Sequence, residues 1–276
     1  MYNNIRGLGR REAEFLSLIS TGGGQFAHAR AVEFWGSRER ASRRLYLLLK
    51  KNWIARLERG KYIVIPLEAG VERQWSGDPF ALASSLVTPA AIAYATALCH
   101  WGWAAMREGP VYIQTTRRKY ATGKTILGKR FEYVTVPPAK FYGHVTEVRS
   151  GIPVMVTDGE TTLLDACDDV ERAGGIRAVT TAVRRAAAEI SWPTLDGYAL
   201  RFPNRSALKR LGYLVESEAR DISEEGNRVL DRWRANLSAG VVPLEPGLPA
   251  GGRISTRWRV RFNVEGEPRT GPPRGT

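Results

Sequence analysis

The chain has 276 residues, and its 41 Lys and Arg residues against 28 Asp and Glu residues give a formal net charge of +13. This balance favours nucleic acid or another polyanion as the partner. The length and a hydrophobic content of 43% predict buried cores in two domains. No apolar run approaches the roughly 18 residues that a membrane span needs, so we expect no membrane protein.

The start of the chain and its cysteines indicate a cytoplasmic location. The polar, basic stretch from Tyr2 to Arg11 lacks the apolar core of a signal peptide. The two cysteines, Cys99 and Cys167, lie in apolar surroundings without metal-like spacing, which indicates buried free thiols in a reducing compartment. We therefore expect a cytoplasmic protein without a metal site or any other cofactor.

Two short helices are predicted before residue 36. Apolar residues recur at helical intervals over residues 10–19 and again from Gln25 to Trp35. Three glycines at 22–24 separate these two segments. Ser37 follows a glycine and is predicted to be the N-cap of a third helix.

The most informative stretch runs from Ser37 to Pro66. In its first part, apolar residues from Ala41 to Leu49 recur at helical spacing and would face a core, while basic residues occupy the other faces. In its second part, two strand-like alternations at 53–57 and 62–65 flank a basic turn. Three helices followed by such a hairpin predict a winged helix-turn-helix DNA-binding domain over residues 1–75.

The charge of this stretch is concentrated. Between Ser37 and Lys61 there are nine Lys or Arg residues and two acids, a net charge of about +7. A phosphate backbone attracts such a surface. The alternative is a solvated helix face in a generally basic protein.

A second domain of a different kind is predicted over residues 78–240, after a polar segment that ends near residue 75. Strand-like runs cluster in its middle and helical runs lie on both sides, which is typical of an α+β fold. From 245 to 276 the chain is rich in Pro, Gly and Arg, and we expect a flexible, poorly ordered basic tail that touches nucleic acid or is simply a disordered terminus. The predicted helices cover residues 79–86, 91–101, 160–172, 176–190, 205–214 and 223–236, and the predicted strands cover 111–115, 129–136, 141–148 and 152–156.

A second basic patch is predicted between the strands of this domain. Its side chains would suit a phosphate backbone and would extend a DNA footprint beyond the third helix. An exposed loop of a basic protein explains them equally well. The residues of this patch are Arg117, Arg118, Lys119 and Lys124.

Acidic side chains crowd residues 157–175, where Asp165 and Asp169 could bind the metal of a nuclease if they shared a helix face. A capped, solvated helix explains most of these acids, because early acids suit the positive end of the helix dipole. Asp165 sits inside an apolar run, which predicts a buried hydrogen-bonding role for it.

Other catalytic patterns are missing from the sequence. No lysine follows an acid by two residues, which counts against the common endonuclease motif. The three histidines, His28, His100 and His144, are scattered along the chain, and no G-x-S-x-G nucleophile elbow is present. The sequence therefore predicts that the protein is not an enzyme and has no catalytic residues.

The order of these segments resembles a known family. The run RASRRLYLLLKKNWIARLERGKYIVIP at 40–66 resembles the winged helix of AbiEi-type antitoxins from type IV toxin–antitoxin systems. The resemblance extends over roughly residues 8–225. The matching segments of the second domain are TPAAIAYATALCHWGW (88–103), VYIQTTRRK (111–119), FEYVTVPPAKFYGHVTEV (131–148) and IPVMVTDGETTLLDACDDVERAGGIRAV (152–179).

The resemblance implies a repressor of its own operon that also counteracts a nucleotidyltransferase-like toxin. In that family the winged helix binds inverted repeats in operator DNA, and the C-terminal domain carries the antitoxin activity without forming a stable toxin complex. Arg40 or Arg43 would reach base edges, and the other basic residues would hold phosphates. The DNA-binding residues expected on the third helix and the hairpin are Ser37, Arg38, Arg40, Arg43, Arg44, Lys50, Arg59 and Lys61.

A second function also fits these segments. The protein could be a winged-helix transcriptional regulator whose second domain senses a small molecule. Trp101, Trp103 and Tyr120 would then line an apolar pocket.

Overall fold

A computed structural model describes residues 7–65, 77–105, 108–118, 123–219 and 222–264. Within these ranges the protein has a mixed α+β fold, as the sequence predicts, with helices and sheets in both halves of the chain. The predicted domain boundary near residue 75 lies outside the described residues.

Residues 10–64 form three helices and three strands. They are α1 (Arg10–Ser20), β1 (Gln25–Ala27), α2 (His28–Trp35), α3 (Arg38–Lys50), β2 (Ile54–Glu58) and β3 (Lys61–Val64). In the sheet β3 lies in the middle and is antiparallel to both β1 and β2. The three predicted helices and the predicted hairpin are all present.

Local signals set the ends of α2 and α3. Gly36, with φ at +77°, ends α2, and the hydroxyl of Ser37 accepts the backbone N–H of Arg40 at 3.2 Å, which confirms the predicted N-cap. The prediction that the second helix begins at Gln25 is wrong. Residues 25–27 instead pair with β3, because their backbone groups find partners there, and α2 begins only at His28.

The core of this N-terminal unit lies between its helices and its sheet. The ring of Phe15 is fully buried at its centre, with ring centroids 5.1 Å from Phe26 and 4.3 Å from Trp35. On α3, Leu45 and Leu48 are at most 1% exposed, as their helical spacing predicts.

A six-stranded sheet forms the middle of the chain. Its strands are β4 (Ala91–Ile92), β5 (Val111–Thr115), β6 (Gly123–Ile126), β7 (Lys129–Thr135), β8 (His144–Arg149) and β9 (Ile152–Thr157). The spatial order is β6-β7-β5-β4-β9-β8. The pairs β5–β7 and β4–β9 are parallel and the other pairs are antiparallel, so the sheet is mixed.

Two short helices accompany this sheet, α4 (Pro79–Leu86) and α5 (Tyr94–His100). The prediction of one helix over 91–101 is wrong at its start. Ala91 and Ile92 form the central strand β4, at 1% exposure each, and the helix begins only at Tyr94. A short apolar run fits a buried strand or a buried helix equally well. Here residues 91–92 form a strand because they pair with the neighbouring strands β5 and β9.

A helical layer follows the sheet. Its helices are α6 (Gly159–Asp168), α7 (Ile176–Ala186), α8 (Trp192–Arg201), α9 (Arg205–Glu218) and α10 (Glu224–Ala235). The central helix α6 packs against α5, α7, α8 and α9, and it ends four residues before the predicted Arg172. The sequence did not predict α8. Within the described ranges we find no helix that is long and apolar enough to cross a membrane.

Residues 245–264 of the C-terminal segment are ordered, so the prediction of a poorly ordered tail is wrong for them. Trp258 is 1% exposed, and its indole N–H donates to Glu216 of α9 at 2.6 Å. A Cβ at Gly212 would overlap the Trp258 ring, so only glycine leaves room for this contact. Three two-residue strands join this segment, β10 (Val242–Pro243), β11 (Ile254–Ser255) and β12 (Val260–Arg261).

The N-terminal unit packs directly on the six-stranded sheet. Leu57 and Ile63, from its hairpin, belong to the same hydrophobic cluster as Ala81 and Leu82 of α4. The side-chain amide of Gln25 also donates to the hydroxyl of Ser85. The hairpin is therefore held between its own helices and the second half of the chain.

Candidate nucleic-acid interface

The outer face of α3 is basic and open to solvent. Since Leu45 and Leu48 are buried, a helical rotation of about 100° per residue places Arg43 and Lys50 at the centre of the opposite face. Both side chains are exposed. In the part of the chain that the structure describes, neither has an ion-pair partner, so both charges are available to a ligand.

Arg44 occupies a different place from Arg43, although the sequence groups them. Its Nη1 lies 3.2 Å from Oε1 of Glu12 on α1, and Glu12 is only 4% exposed. Nζ of Lys51 lies 3.7 Å from the other oxygen of the same carboxylate. Arg44 therefore helps to hold α3 against α1, a contact that the sequence analysis missed. Arg40 stays exposed beside the central pair.

A groove of about 660 Å³ separates α2 and α3 from the turn between β2 and β3. Its walls carry three arginines and a histidine against a single carboxylate, Glu33, which forms an ion pair with Arg30 at 2.8 Å. The groove is therefore electropositive and suits an anion. Its charged and polar lining residues are His28, Glu33, Arg38, Ser42, Arg56 and Arg59, with Tyr62 at one side.

The β2–β3 turn is fixed to the start of α2. The backbone N–H of His28 donates to the carbonyl of Gly60 at 2.7 Å, and Nε2 of His28 lies 3.0 Å from the hydroxyl of Ser42 on α3. Gly60 has φ at +79°, in the left-handed region that favours glycine. These contacts place Arg59 at one wall of the groove and α3 at the other.

Lys61 lies just beyond this turn, at the start of β3. Its side chain is 54% exposed, and its Nζ lies 3.9 Å from Oε2 of Glu58. An exposed pair at this distance is weak and screened by salt. The Lys61 ammonium group is therefore largely solvated and accessible.

Two residues of the groove were missed from the sequence, His28 and Arg56. His28 was assigned only to a helix, and its place beside Ser42 depends on the packing of α2 on α3. Arg56 lies on β2 between Ala55 and Leu57, where strand alternation points it away from the buried Leu57. The alternation was visible in the sequence and is the signal that could have found Arg56.

The described residues of the second basic patch are not brought together. Arg117 and Arg118 are exposed beyond the end of β5, which runs beside Thr135 of β7. Lys124 pairs with Phe131, about four residues or roughly 13 Å away along β7. The ammonium group of Lys124 donates to the carbonyl of Leu57 in the hairpin. The remaining member, Lys119, lies outside the described residues.

The acidic helix α6 is largely structural. The side chain of Asp158 caps it by accepting the N–H of Thr161 at 2.8 Å, which confirms the expected cap. The expectation of a solvated helix is wrong, because residues 161–167 are buried. Asp165 is fully buried, 3.2 Å from Nζ of Lys140, and it accepts a hydrogen bond from the amide of Gln114 at 2.5 Å. The predicted buried hydrogen-bonding role of Asp165 is confirmed. Burial raises the pKa of Asp165 to about 6, and the nearby Lys140 ammonium group opposes this rise.

No group of three or more His, Cys, Asp or Glu side chains within the described ranges is placed to hold a metal ion. Burial raises the pKa of the Cys167 thiol to about 12, and Cys99 is half-buried. The expectation of buried free thiols is therefore confirmed for Cys167.

The tryptophans proposed to line a pocket are packed. Trp103 is 3% exposed, lies against Gly159 and donates its indole N–H to Glu189 at 2.8 Å. Trp101 stacks on it with a centroid distance of 6.0 Å and donates to the carbonyl of Thr157. The third residue of that set, Tyr120, lies outside the described residues.

The chain has a mixed α+β architecture. A small N-terminal unit with a basic hairpin packs on a six-stranded sheet, and a helical layer follows the sheet. A similar fold occurs in the crystal structure of the Rv2827c protein from Mycobacterium tuberculosis, with a TM-score of 0.68 over 92% of each chain. The two sequences are 16% identical, so the likeness shows a shared fold alone. No protein-family model matches the chain, and no similar curated protein was found.

Proposed function

We propose that the N-terminal unit is a winged helix-turn-helix that binds double-stranded DNA. The observation that carries the proposal is the exposed basic face of α3 beside an electropositive groove closed by the β2–β3 hairpin. The element order helix, strand, helix, helix, hairpin supports it, because a winged helix needs a third helix next to a wing. In this arrangement α3 enters the major groove and the hairpin meets the adjacent backbone.

The roles of the side chains follow from their places. Arg43, at the centre of the outer face, reaches base edges, where arginine pairs best with guanine. Arg38 and Arg59, on opposite walls of the groove, hold a phosphate between α3 and the hairpin. Lys50 and Lys61 add contacts to phosphates further along the backbone. Ser37 serves the interface indirectly as the cap of α3.

We further propose that the protein is a cytoplasmic antitoxin and autorepressor of a type IV system. The support is the order and spacing of the segments over roughly residues 8–225 that resemble AbiEi-type antitoxins. In this proposal the DNA is an operator with inverted repeats just upstream of the gene. The second half of the chain counteracts a nucleotidyltransferase-like toxin, and the protein is a binding protein that needs no cofactor.

Binding to the DNA upstream of the gene tests the first proposal. The full chain is titrated at two salt concentrations against the upstream duplex and a scrambled duplex of equal length. We expect tight binding to the upstream duplex and weaker, more salt-sensitive binding to the scrambled one. Arg228→Ala serves as the matched control, because Arg228 is 72% exposed on the distant α10. Equal affinity for both duplexes would refute the proposal that the upstream DNA contains an operator for this protein.

Rescue of growth tests the antitoxin proposal separately. An adjoining nucleotidyltransferase-like gene is expressed in a host with and without this chain, from a promoter that the chain does not regulate. We expect the nucleotidyltransferase-like protein to stop growth when it is expressed alone, and we expect growth to return when this chain is co-expressed. Toxicity that persists with folded antitoxin present would refute the antitoxin role while leaving DNA binding intact.

A further inference from the structure

The strand β8 forms one edge of the six-stranded sheet. A two-residue turn, Ser150–Gly151, joins it to β9, and both turn residues have positive φ, at 50° and 75°. In such a hairpin the residues flanking the turn form the hydrogen-bonded pair, so the N–H and C=O of Val148 point away from β9. Pro153, which has no N–H, lies opposite Val148 and fits this register. Among the described strands, none pairs with that outer side of β8.

Both faces of this edge carry side chains that a partner strand could cover. Val148 is 75% exposed, more than any other large hydrophobic side chain in the described ranges, and Pro153 beside it is also exposed. On the other face Glu147 and Arg149 lie 3.0 Å apart, and their side chains are about one-third exposed, at 34% and 35%. An edge with an open apolar position and unpaired backbone groups is a template for another strand.

We propose that β8 pairs with β8 of a second copy of this chain, antiparallel and centred on Val148. A twofold axis there sets the two Val148 residues opposite each other, exchanging backbone hydrogen bonds. The same register sets Glu147 of each copy opposite Arg149 of the other, so both faces of the edge are self-complementary.

The neighbouring registers lack this complementarity. Centring the pair on Glu147 sets two carboxylates opposite each other, which is destabilising. Centring it on Thr146 sets Val148 against His144 and Glu147 against Val145, so neither the apolar contact nor the charge pair forms. The charges of the edge thus select the register centred on Val148.

The pairing brings the two N-terminal units to one side of the dimer. The loop between α1 and β1 lies against the first residue of β9, since a Cβ at Gly23 would lie 3.8 Å from Cδ1 of Ile152. Ile152 is close to the turn and therefore to the proposed twofold axis. A dimer built this way suits a ligand with two inverted half-sites, although the pairing of the strands does not depend on DNA binding.

Charge exchange tests the proposal through a mixing experiment. Sedimentation equilibrium of the full chain is expected to show association to twice the 30.7 kDa mass. Glu147→Arg sets two arginines opposite each other in the homodimer, and Arg149→Glu sets two carboxylates opposite each other. Each variant alone is expected to associate about tenfold more weakly or worse, whereas an equimolar mixture of the two regains dimers. Circular dichroism checks that both variants are folded, since His100 and Asp78 also contact these side chains.

Cross-linking gives a second test that leaves the charges unchanged. Residues opposite each other at such a pair have Cα atoms about 5.5 Å apart, which is within the reach of a disulfide. Val148→Cys is therefore expected to form a disulfide-linked dimer much faster than Thr125→Cys, a matched exposed position on β6 at the opposite edge of the sheet. Equal cross-linking rates, a monomeric parent chain, or a variant mixture that stays monomeric while the parent dimerises would each overturn the proposal.

Discussion

Two arginine-rich segments of this chain use their charge in opposite ways. On α3, Arg40 and Arg43 are exposed, and the described chain gives them no ion-pair partner. In the C-terminal segment, Arg257 pairs with Glu216 at 2.8 Å, and Arg259 donates to two backbone carbonyls. On α3 these two arginines are left exposed, whereas in the C-terminal segment Arg257 and Arg259 make contacts within the fold.

The difference shows what arginine content alone can indicate. The C-terminal segment was expected to be poorly ordered because it is rich in Pro, Gly and Arg. A single aromatic side chain, Trp258, changes that outcome, because it fills a space above Gly212 on α9. Composition indicates the average tendency of a segment to be ordered. One buried aromatic side chain that fits its site can order the segment despite that tendency.

The largest expected effect is the loss of that anchor. Trp258→Ala removes a buried indole and its hydrogen bond to Glu216, and we expect a loss of about 3–5 kcal/mol in the free energy of unfolding. Urea denaturation measures the change. DNA affinity, measured at a temperature where the variant is folded, is expected to stay the same. Arg253→Ala, an exposed change in the same segment, is the control and should alter stability by less than about 0.5 kcal/mol. Equal losses from both variants would contradict an anchoring role for Trp258.

Arg43→Ala should show the reverse pattern. We expect a loss of about 1–3 kcal/mol in binding to the operator, because a base contact disappears, and a relaxed preference at one base position. The free energy of unfolding should change by less than about 0.5 kcal/mol, since the side chain is exposed and has no ion-pair partner among the described residues. Fluorescence anisotropy with a set of single-base operator variants gives the first quantity, and urea denaturation gives the second. If the Arg43→Ala variant discriminated among the duplexes as well as the parent does, Arg43 would not contact a base.

Lys61→Ala should weaken binding to all duplexes alike. A lysine at a phosphate contributes through the release of counterions, so the slope of log affinity against log salt should fall by about 1. Titrations at four or five salt concentrations with specific and scrambled DNA give the slopes. A change confined to the operator duplex would instead indicate a base contact.

The smallest expected effect is that of Arg257→Ala. The Arg257 side chain is 59% exposed in its pair with Glu216, and such surface pairs contribute about 0–1 kcal/mol to stability. Operator affinity should be unchanged. Weaker DNA binding by this variant would show that the C-terminal segment also meets nucleic acid, and the contrast between the two segments would fail.

The sequence was most informative where structure depends on near neighbours. The third helix follows from the Ser37 cap and the apolar spacing of α3, and the hairpin follows from the glycine turn at Gly60, so each signal lies within or next to the element that it sets. By contrast, β1 and β4 have three and two residues, too few to show a period, and they are strands only because distant strands pair with them.

The exposed basic positions were predicted in part for the same reason. Arg43, Lys50 and Lys61 are exposed, as expected, because the helix and the hairpin that carry them were predicted correctly. Arg44 was misplaced, because its partner Glu12 lies 32 residues away on another helix. His28 was missed because its neighbour Ser42 is reached only after α2 has packed on α3. The local sequence pattern does not predict contacts between separate helices and strands.

The shared core beneath the hairpin sets how this protein can be divided. Leu57 is 1% exposed and Ile63 is 6% exposed, and both belong to a hydrophobic cluster that includes Ala81 and Leu82 of α4. A fragment that stops at residue 65 would bring both side chains into water, at about 1.5–3 kcal/mol for each one fully uncovered. We therefore expect that the first 65 residues do not form an independently stable domain. A swap onto another scaffold would have to carry α4 along or give that surface new polar residues.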